Sequence, residues 1–249
     1  MATMNLALAD VIVYPVLLVV FALLFTREVI APASQNHCDR RWLLLASGLG
    51  GLSMVCAVGA GFLLSVTIRS HALLPLPEGT PDIAVGAVSF LSTSFVFYWW
   101  HRATHASDFL WRHVHQLHHS PSRIESLTAF YAHPLDTMAA VLIGAVCSYA
   151  LFGASPVGAA WALFFTGVFD LFLHADLHTP RWLGRFITRP EMHRVHHAHS
   201  HHAQNYGLPV WDLLFGTWNN PSDRVERCGF DDDKASQIGA MLRGKDVKG

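Results

Sequence analysis

The sequence predicts an all-α integral membrane protein in which four to five transmembrane helices support a cytoplasmic helical cap carrying clustered histidines. Three observations predict it. The chain is 52% hydrophobic and only 14% charged, whereas a soluble domain carries about 25% charged residues. Five apolar runs long enough to span a bilayer follow one another between residues 10 and 173. The 17 histidines equal all Lys and Arg combined, and most crowd into four clusters at or after the ends of apolar runs. A net charge of −1 argues against nucleic acid as a partner.

The first run, 10–26 (DVIVYPVLLVVFALLFT), lacks the basic leader of a signal peptide and is read as a retained span with Pro15 near its start. A polar connection leads to the second run, 42–68, which contains Gly48, Gly50, Gly51, Gly59 and Gly61. Small residues let helices approach closely in lipid, so this run is expected to pack tightly. Pro75, Pro77 and Pro81 prevent a continuous helix through 69–82. The third run, 83–100, ends in Phe95, Phe97, Tyr98, Trp99 and Trp100, rings that favour the membrane–water boundary. His101 should therefore emerge near the headgroups.

Runs four and five, 135–152 and 156–173, are joined by the short turn FGASP and read as a helical hairpin. It leaves the histidine side and returns to it at His174. Beyond Thr179 the chain is mostly soluble in character, with an interfacial helix expected around Arg181–Phe186 and a polar, partly disordered tail after Pro221. The chain divides into N-terminal membrane segments at 1–82, a histidine-bearing domain at 83–220 and a polar tail at 221–249. Cys38, Cys56, Cys147 and Cys228 are far apart without a CxxC pair, and read as packing residues.

Five spans with the N-terminus outside put every Lys and Arg except Arg69 on one side of the membrane. Such an asymmetry assigns that side to the cytoplasm, here of a bacterial inner membrane. All four histidine clusters lie on the same side. Four full spans and one buried or re-entrant segment would move the N-terminus but need not move the clusters.

The clusters are His101 and His105; His115, His118 and His119; His174 and His178; and His193, His196 and His197. On a helix, residues three and four apart lie on one face. The i+3 and i+4 members of HxxHH diverge by about 100° around the axis, so one triplet can serve two metals side by side. Ten imidazoles suffice for a dinuclear centre, and imidazole ligation suits iron, copper, zinc and nickel alike. His133 is open among ligand, outer hydrogen-bond donor and interface residue. His199, His201 and His202 extend the last cluster as solvated or outer residues, with His201 and His202 kept as additional candidates. His113 lies on the opposite helical face from His115, and His37 and His71 fall outside any pattern.

Ligating imidazoles need an acceptor for the second ring N–H. Asp170 and Asp176 are the acceptors singled out, with Asp108, Glu125, Asp136, Glu191 and Asp212 as further candidates.

HRATH (101–105), HQLHH (115–119), HADLH (174–178) and HRVHH (193–197), together with LTAFYAHPLD (127–136), TPRWLGRF (179–186) and NYGLPVWDLLFGTW (205–218), resemble the fatty acid hydroxylase / sterol desaturase superfamily of membrane enzymes. The resemblance covers roughly residues 90–220. It implies a dinuclear non-haem iron centre ligated by the ten patterned histidines, with zinc able to replace iron in a purified sample. It further implies O₂ as co-substrate and a lipid (sterol, fatty acyl, carotenoid or aminolipid) whose unactivated C–H bond is hydroxylated or desaturated. No residue beyond the metal ligands is expected to act catalytically. The chain shows no dinucleotide fingerprint, so electrons are expected from a separate ferredoxin- or cytochrome-type donor. Arg112, Arg123, Arg181, Arg185, Arg189 and Arg194 are candidates for its docking face or for binding lipid phosphates. The rival reading is a membrane metal-ion transporter, or a metal-binding protein without oxygenase activity.

Overall fold

A computed structural model of the chain describes residues 8–34, 40–68, 72–199, 201 and 203–247. The regular elements among the described residues are all helices, and the extended contact among them is an isolated bridge between Ala198 and Cys228. The long helices follow the apolar runs: α1 (Leu8–Ile30), α2 (Arg40–Ile68) and α3 (Asp82–Ala106). Short helices α4 (Asp108–Leu110) and α5 (Gln116–His119) flank a π-helical turn, Trp111–His115. Then come α6 (Pro134–Ala145), continued by a π-helical stretch to Leu151, and α7 (Pro156–His174). The cap adds α8 (Pro190–His196) and α9 (Pro209–Leu214).

Four described helices are long and apolar enough to cross a membrane: Arg40–Gly59, Asp82–Ala106, Pro134–Leu151 and Pro156–His174. This lies within the expected four to five. The 23-residue α1 packs along α7.

Helix starts are legible in the chain chemistry. Pro134, Pro156, Pro190 and Pro209 each occupy the first turn of a helix, where a missing N–H costs nothing and φ is already helical. Ser155 caps α7 by accepting from the Gly158 N–H at 3.0 Å, and it also bonds Asp82 at the start of α3. That contact pins the ends of α3 and α7 together on the side away from the histidines. Close approach between the same two helices depends on Gly86: a Cβ there would lie 2.4 Å from the Trp161 Cβ and 2.9 Å from the Gly158 carbonyl oxygen.

Two expectations are revised. Of the α2 glycines, Gly50 alone among those described is tightly packed, since a Cβ there would lie 3.0 Å from the Phe130 Cβ, whereas one at Gly48, Gly51 or Gly59 would meet nothing within 4 Å; α3 and α7 approach more closely still at Gly86. Nor is the tail loose after Pro221. Phe230, Met241 and Val247 are buried in one cluster with Trp111, Leu117 and Tyr131, and Gln116 donates to the Lys245 carbonyl at 2.7 Å. The tail thus covers the outer side of the Trp111–His119 stretch, with a few apolar residues doing what a polar composition concealed.

The segment expected as an interfacial helix is a short 3₁₀ turn, Arg181–Arg185, with Trp182 62% and Phe186 74% exposed. Beside it α9 docks sideways on α3: Trp211 meets Phe95 edge-on at 5.0 Å and donates to Ser94 Oγ at 3.0 Å, while Phe215 packs on Tyr98 and Trp99. Val210, Leu213 and Leu214 remain exposed on the free side of α9.

Candidate metal centre

Nine of the ten patterned histidines meet in two adjacent groups. His101, His105, His115, His119 and His196 form one, and His118, His174, His193 and His197 the other; within each, one ring nitrogen per residue lies within 4.8 Å of all the others. Each HxxHH triplet divides as the helical angle predicts. From the first, His115 and His119 enter the five-histidine group and His118 the four-histidine group; from the second, His196 enters the former and His193 and His197 the latter. Reach comes from four directions: the end of α3, the π turn and α5, the end of α7, and α8. The π turn ends on His115, the first member of the first triplet, an irregularity frequent at functional sites.

The imidazoles are held by their outer nitrogens. Nδ1 of His101 donates to the Tyr206 carbonyl at 2.7 Å, that of His118 to the Tyr131 carbonyl at 3.1 Å, and that of His196 to the Gln204 carbonyl at 2.8 Å. His174 Nδ1 donates to the Asp170 carbonyl at 2.9 Å, with the Asp170 carboxylate at 3.3 Å. His115 Nδ1 meets the buried Asp136 carboxylate at 2.7 Å, in the first turn of α6. A carbonyl can only accept, so in His101, His118, His174 and His196 the proton sits on Nδ1 and Nε2 presents a lone pair.

That tautomer makes the interior a test of what belongs there. His118 and His174 then face each other, Nε2 to Nε2, at 3.3 Å, and two lone pairs at that distance repel. His174 and His193 approach at 2.9 Å, His193 and His197 at 3.1 Å, and His115 and His119 at 3.1 Å. Nitrogens about 2.1 Å from a shared ion, at angles between octahedral and tetrahedral, would be separated by about 3.0–3.4 Å. Nε2 of His101 and of His196 are buried without a hydrogen-bond partner. Neutral, inward-facing lone pairs at ligand spacing fit a metal ion in each group.

Electrostatics agree. Burial, reinforced by neighbouring imidazoles, holds His118, His119, His193, His196 and His197 well below the ordinary value of 6.5, so these rings stay neutral.

The supports extend outward. Glu28, buried at the end of α1, accepts from the Ser126 N–H and hydroxyl at 2.9 Å each and from the Asp176 N–H at 2.7 Å. Glu125 accepts from Trp42 Nε1 at 2.5 Å and pairs with Arg123 at 2.6 Å. Together they fix the segment that presents the Tyr131 carbonyl to His118. Asp212 accepts from the N–H groups of Tyr206 and Gly207 at 2.9 and 3.2 Å and from the Thr217 hydroxyl at 2.6 Å. Burial nonetheless pushes its carboxyl up to about 6.

Other candidates stand elsewhere. His178 is exposed and belongs to neither group: α7 ends at His174 and Ala175 is extended, so the four-residue spacing has no helix to act on. His133 caps α6, accepting from the Leu135 N–H at 3.1 Å. His199 faces Asp231 at 3.2 Å, His201 is exposed, and His202 lies outside the described residues. Asp176 holds Ser34 and Arg224. Of the six arginines expected on a docking face, Arg123, Arg189 and Arg194 are buried and committed to Glu125, to Glu191 with Asn220, and to the carbonyls of Val225 and Glu226. Arg181 and Arg185 are exposed. Glu28 and Asn205 escaped sequence reasoning; an acid closing an apolar run was the available signal for the former.

The fatty acid hydroxylase family model matches residues 86–217. Ornithine lipid hydroxylase OlsE of Rhizobium tropici is 30% identical over 69% of this chain and 54% of its own length. Very-long-chain aldehyde decarbonylase GL1-9 of Oryza sativa subsp. japonica is 30% identical over 70% of this chain and 69% of its own. Human (Homo sapiens) alkylglycerol monooxygenase is 29% identical over 63% of this chain and 35% of its own. The chain thus spans only part of these relatives, about half of the first. No solved structure matches.

Proposed function

The chain belongs to the fatty acid hydroxylase family, and we propose that it is an O₂-dependent membrane oxidoreductase that hydroxylates an unactivated C–H bond of a lipid, using two irons held by the two imidazole groups. The observation that carries this reading is the pair of adjacent, inward-facing groups of five and four histidines at the ends of membrane helices. His101, His105, His115, His119 and His196 would hold one ion, and His118, His174, His193 and His197 the other. When bound, the irons supply redox chemistry with O₂ that no side chain here supplies.

The protein's share is orientation, burial and delivery of the lipid. The Nδ1 hydrogen bonds fix which nitrogen faces inward, and burial keeps water and protons from the rings. A lipid can approach along α3, where Leu91, Phe95 and Trp99 are exposed beside Val210, Leu213 and Leu214 of α9. His101 follows Phe95 by six positions, about 9 Å along the helix, so an acyl chain or headgroup-proximal carbon on this face lies near the centre. Desaturation of the same lipid carbon is the second outcome this arrangement supports, since both reactions begin by abstracting hydrogen. Electrons come from a separate ferredoxin- or cytochrome-type donor, for which exposed Arg181 and Arg185 are docking candidates.

A metal transporter needs ligating side chains along a path through its spans. In α3, α6 and α7 the Asp, Glu, His, Lys and Arg residues stand at the helix ends. Metal analysis with optical spectroscopy of the purified protein separates the readings. Two irons per chain without a Soret band is the expected result; a haem spectrum, or metal flux in vesicles, overturns it.

A further inference from the structure

We propose that Asn205 and Asp212 are positioning residues for the five-histidine group, acting through the loop Gln204–Gly207. This rests on reading that group as a metal site.

Two carbonyls of this loop, two residues apart, grip imidazoles from two different helices. Gln204 holds His196 of α8, and Tyr206 holds His101 of α3. Both rings have a buried inner Nε2 with no hydrogen-bond partner, and their centroids lie 4.5 Å apart. One loop therefore sets the mutual orientation of two prospective ligands that the helices alone bring together from opposite sides.

The loop's backbone is not one the chain adopts freely. Gln204 and Asn205 both have positive φ, 67° and 49°, a left-handed conformation uncommon outside glycine and tolerated best by Asn. Two in succession persist only where the surroundings impose them. The imposing contacts come from Asn205 and Asp212. Asn205 is 1% exposed; its amide donates to the Met192 and Asn219 carbonyls at 2.8 Å each, and its side-chain oxygen accepts from the Asn219 N–H at 2.8 Å. Met192 belongs to α8, so the bond ties the loop to the helix whose histidine it holds. Asp212, fully buried in α9, takes the N–H groups of Tyr206 and Gly207 and thereby orients the Tyr206 peptide. Neither side chain touches an imidazole; both act through main-chain carbonyls.

A merely structural role predicts general destabilisation, and a positioning role predicts selective weakening of one metal site. Removing an outer partner of a metal ligand costs about 10–100-fold in affinity. The full-length protein in detergent, stripped with chelator, is titrated with Co²⁺ and followed by visible absorption, alongside thermal unfolding. Wild type is expected to show two strong sites. Asn205→Asp, which keeps the acceptor and loses both donors, and Asp212→Ala should each keep one and weaken the other about 10–100-fold. Asn205→Gly accommodates the backbone but lacks the hydrogen bonds, and should fail in the same way. Asn220→Ala removes a comparably buried amide that serves Arg189 and Arg181 instead; it should lower thermal stability with both sites intact. The proposal is overturned if the Asn205 and Asp212 variants keep two strong sites, or if they lose both sites in step with folded protein. A wild-type chain with fewer than two Co²⁺ sites overturns the metal-site reading itself, and this proposal with it.

Discussion

His119 and His197 lie face to face, ring centroids 4.1 Å apart and planes 16° from parallel, yet each belongs to a different imidazole group. The two groups are thus separated by a single stacked pair. The same residues that divide the centre join it, because His119 also contacts His115 and His197 contacts His193, at 3.1 Å in both cases. Displacing either ring would disturb its neighbour in the other group.

The structure separates His174 from His178. His174→Ala removes a buried member of the four-histidine group and should eliminate one metal ion per chain together with turnover. His178→Ala alters an exposed residue beyond the end of α7 and should leave metal content unchanged. Metal analysis of both purified variants checks this; loss of an ion from His178→Ala would contradict the grouping.

Asp136 is the one carboxylate at hydrogen-bond distance from a five-group imidazole among the described contacts, 2.7 Å from His115 Nδ1. Asp136→Asn keeps the shape and an acceptor oxygen but removes the charge; Asp136→Ala removes both. Metal affinity should fall about 10–100-fold in the alanine variant and less in the asparagine variant. Equal affinity in all three proteins would show that the contact does not orient His115.

Proton competition for the centre should be weak. Burial first, and then neighbouring imidazoles, lower the values of His118, His119, His193, His196 and His197 below 6.5. A histidine with a depressed folded value favours the folded state above the unfolded value, and that contribution is lost as pH falls through the folded one. Metal should therefore be retained at pH 6, where free imidazole is largely protonated, and released only at lower pH. Metal content after equilibration at stepped pH measures this, and a release midpoint at or above 6.5 would contradict it.

Packing of the membrane helices turns on Gly86. Because a Cβ there would fall 2.4 Å from the Trp161 Cβ, Gly86→Ala forces α3 and α7 apart and should destabilise by about 1–3 kcal/mol. Gly48→Ala, on an open part of α2, should have little effect. Thermal unfolding in detergent compares them, and equal midpoints would remove the close-approach argument.

Much of this was readable from the chain. Apolar runs and first-turn prolines mark the helices to within a few residues, and the 100° step within HxxHH anticipates the division of each triplet between two groups. Three things were not readable. Where α7 stops decides the fate of His178, and a four-residue spacing says nothing about a helix end. The acceptors for His101, His118 and His196 are main-chain carbonyls of Tyr206, Tyr131 and Gln204, which any residue carries and no motif reveals. The burial of Phe230, Met241 and Val247 depends on a few apolar residues in a polar tail, too sparse to register as a periodic face.

Oxidation of a membrane lipid at the metals the paired imidazole groups would hold is the proposed function. Lipid mass spectrometry of cells expressing the wild-type chain, compared with cells expressing His196→Ala inserted at equal level, tests it most directly. A lipid gaining about 16 mass units, one oxygen atom, is expected in the wild-type cells only, since His196 stands in the five-histidine group with its inner nitrogen unpartnered. A loss of about 2 units would identify desaturation instead. Identical lipid profiles in the two cell types, or full metal content and turnover in His196→Ala, would contradict the claim.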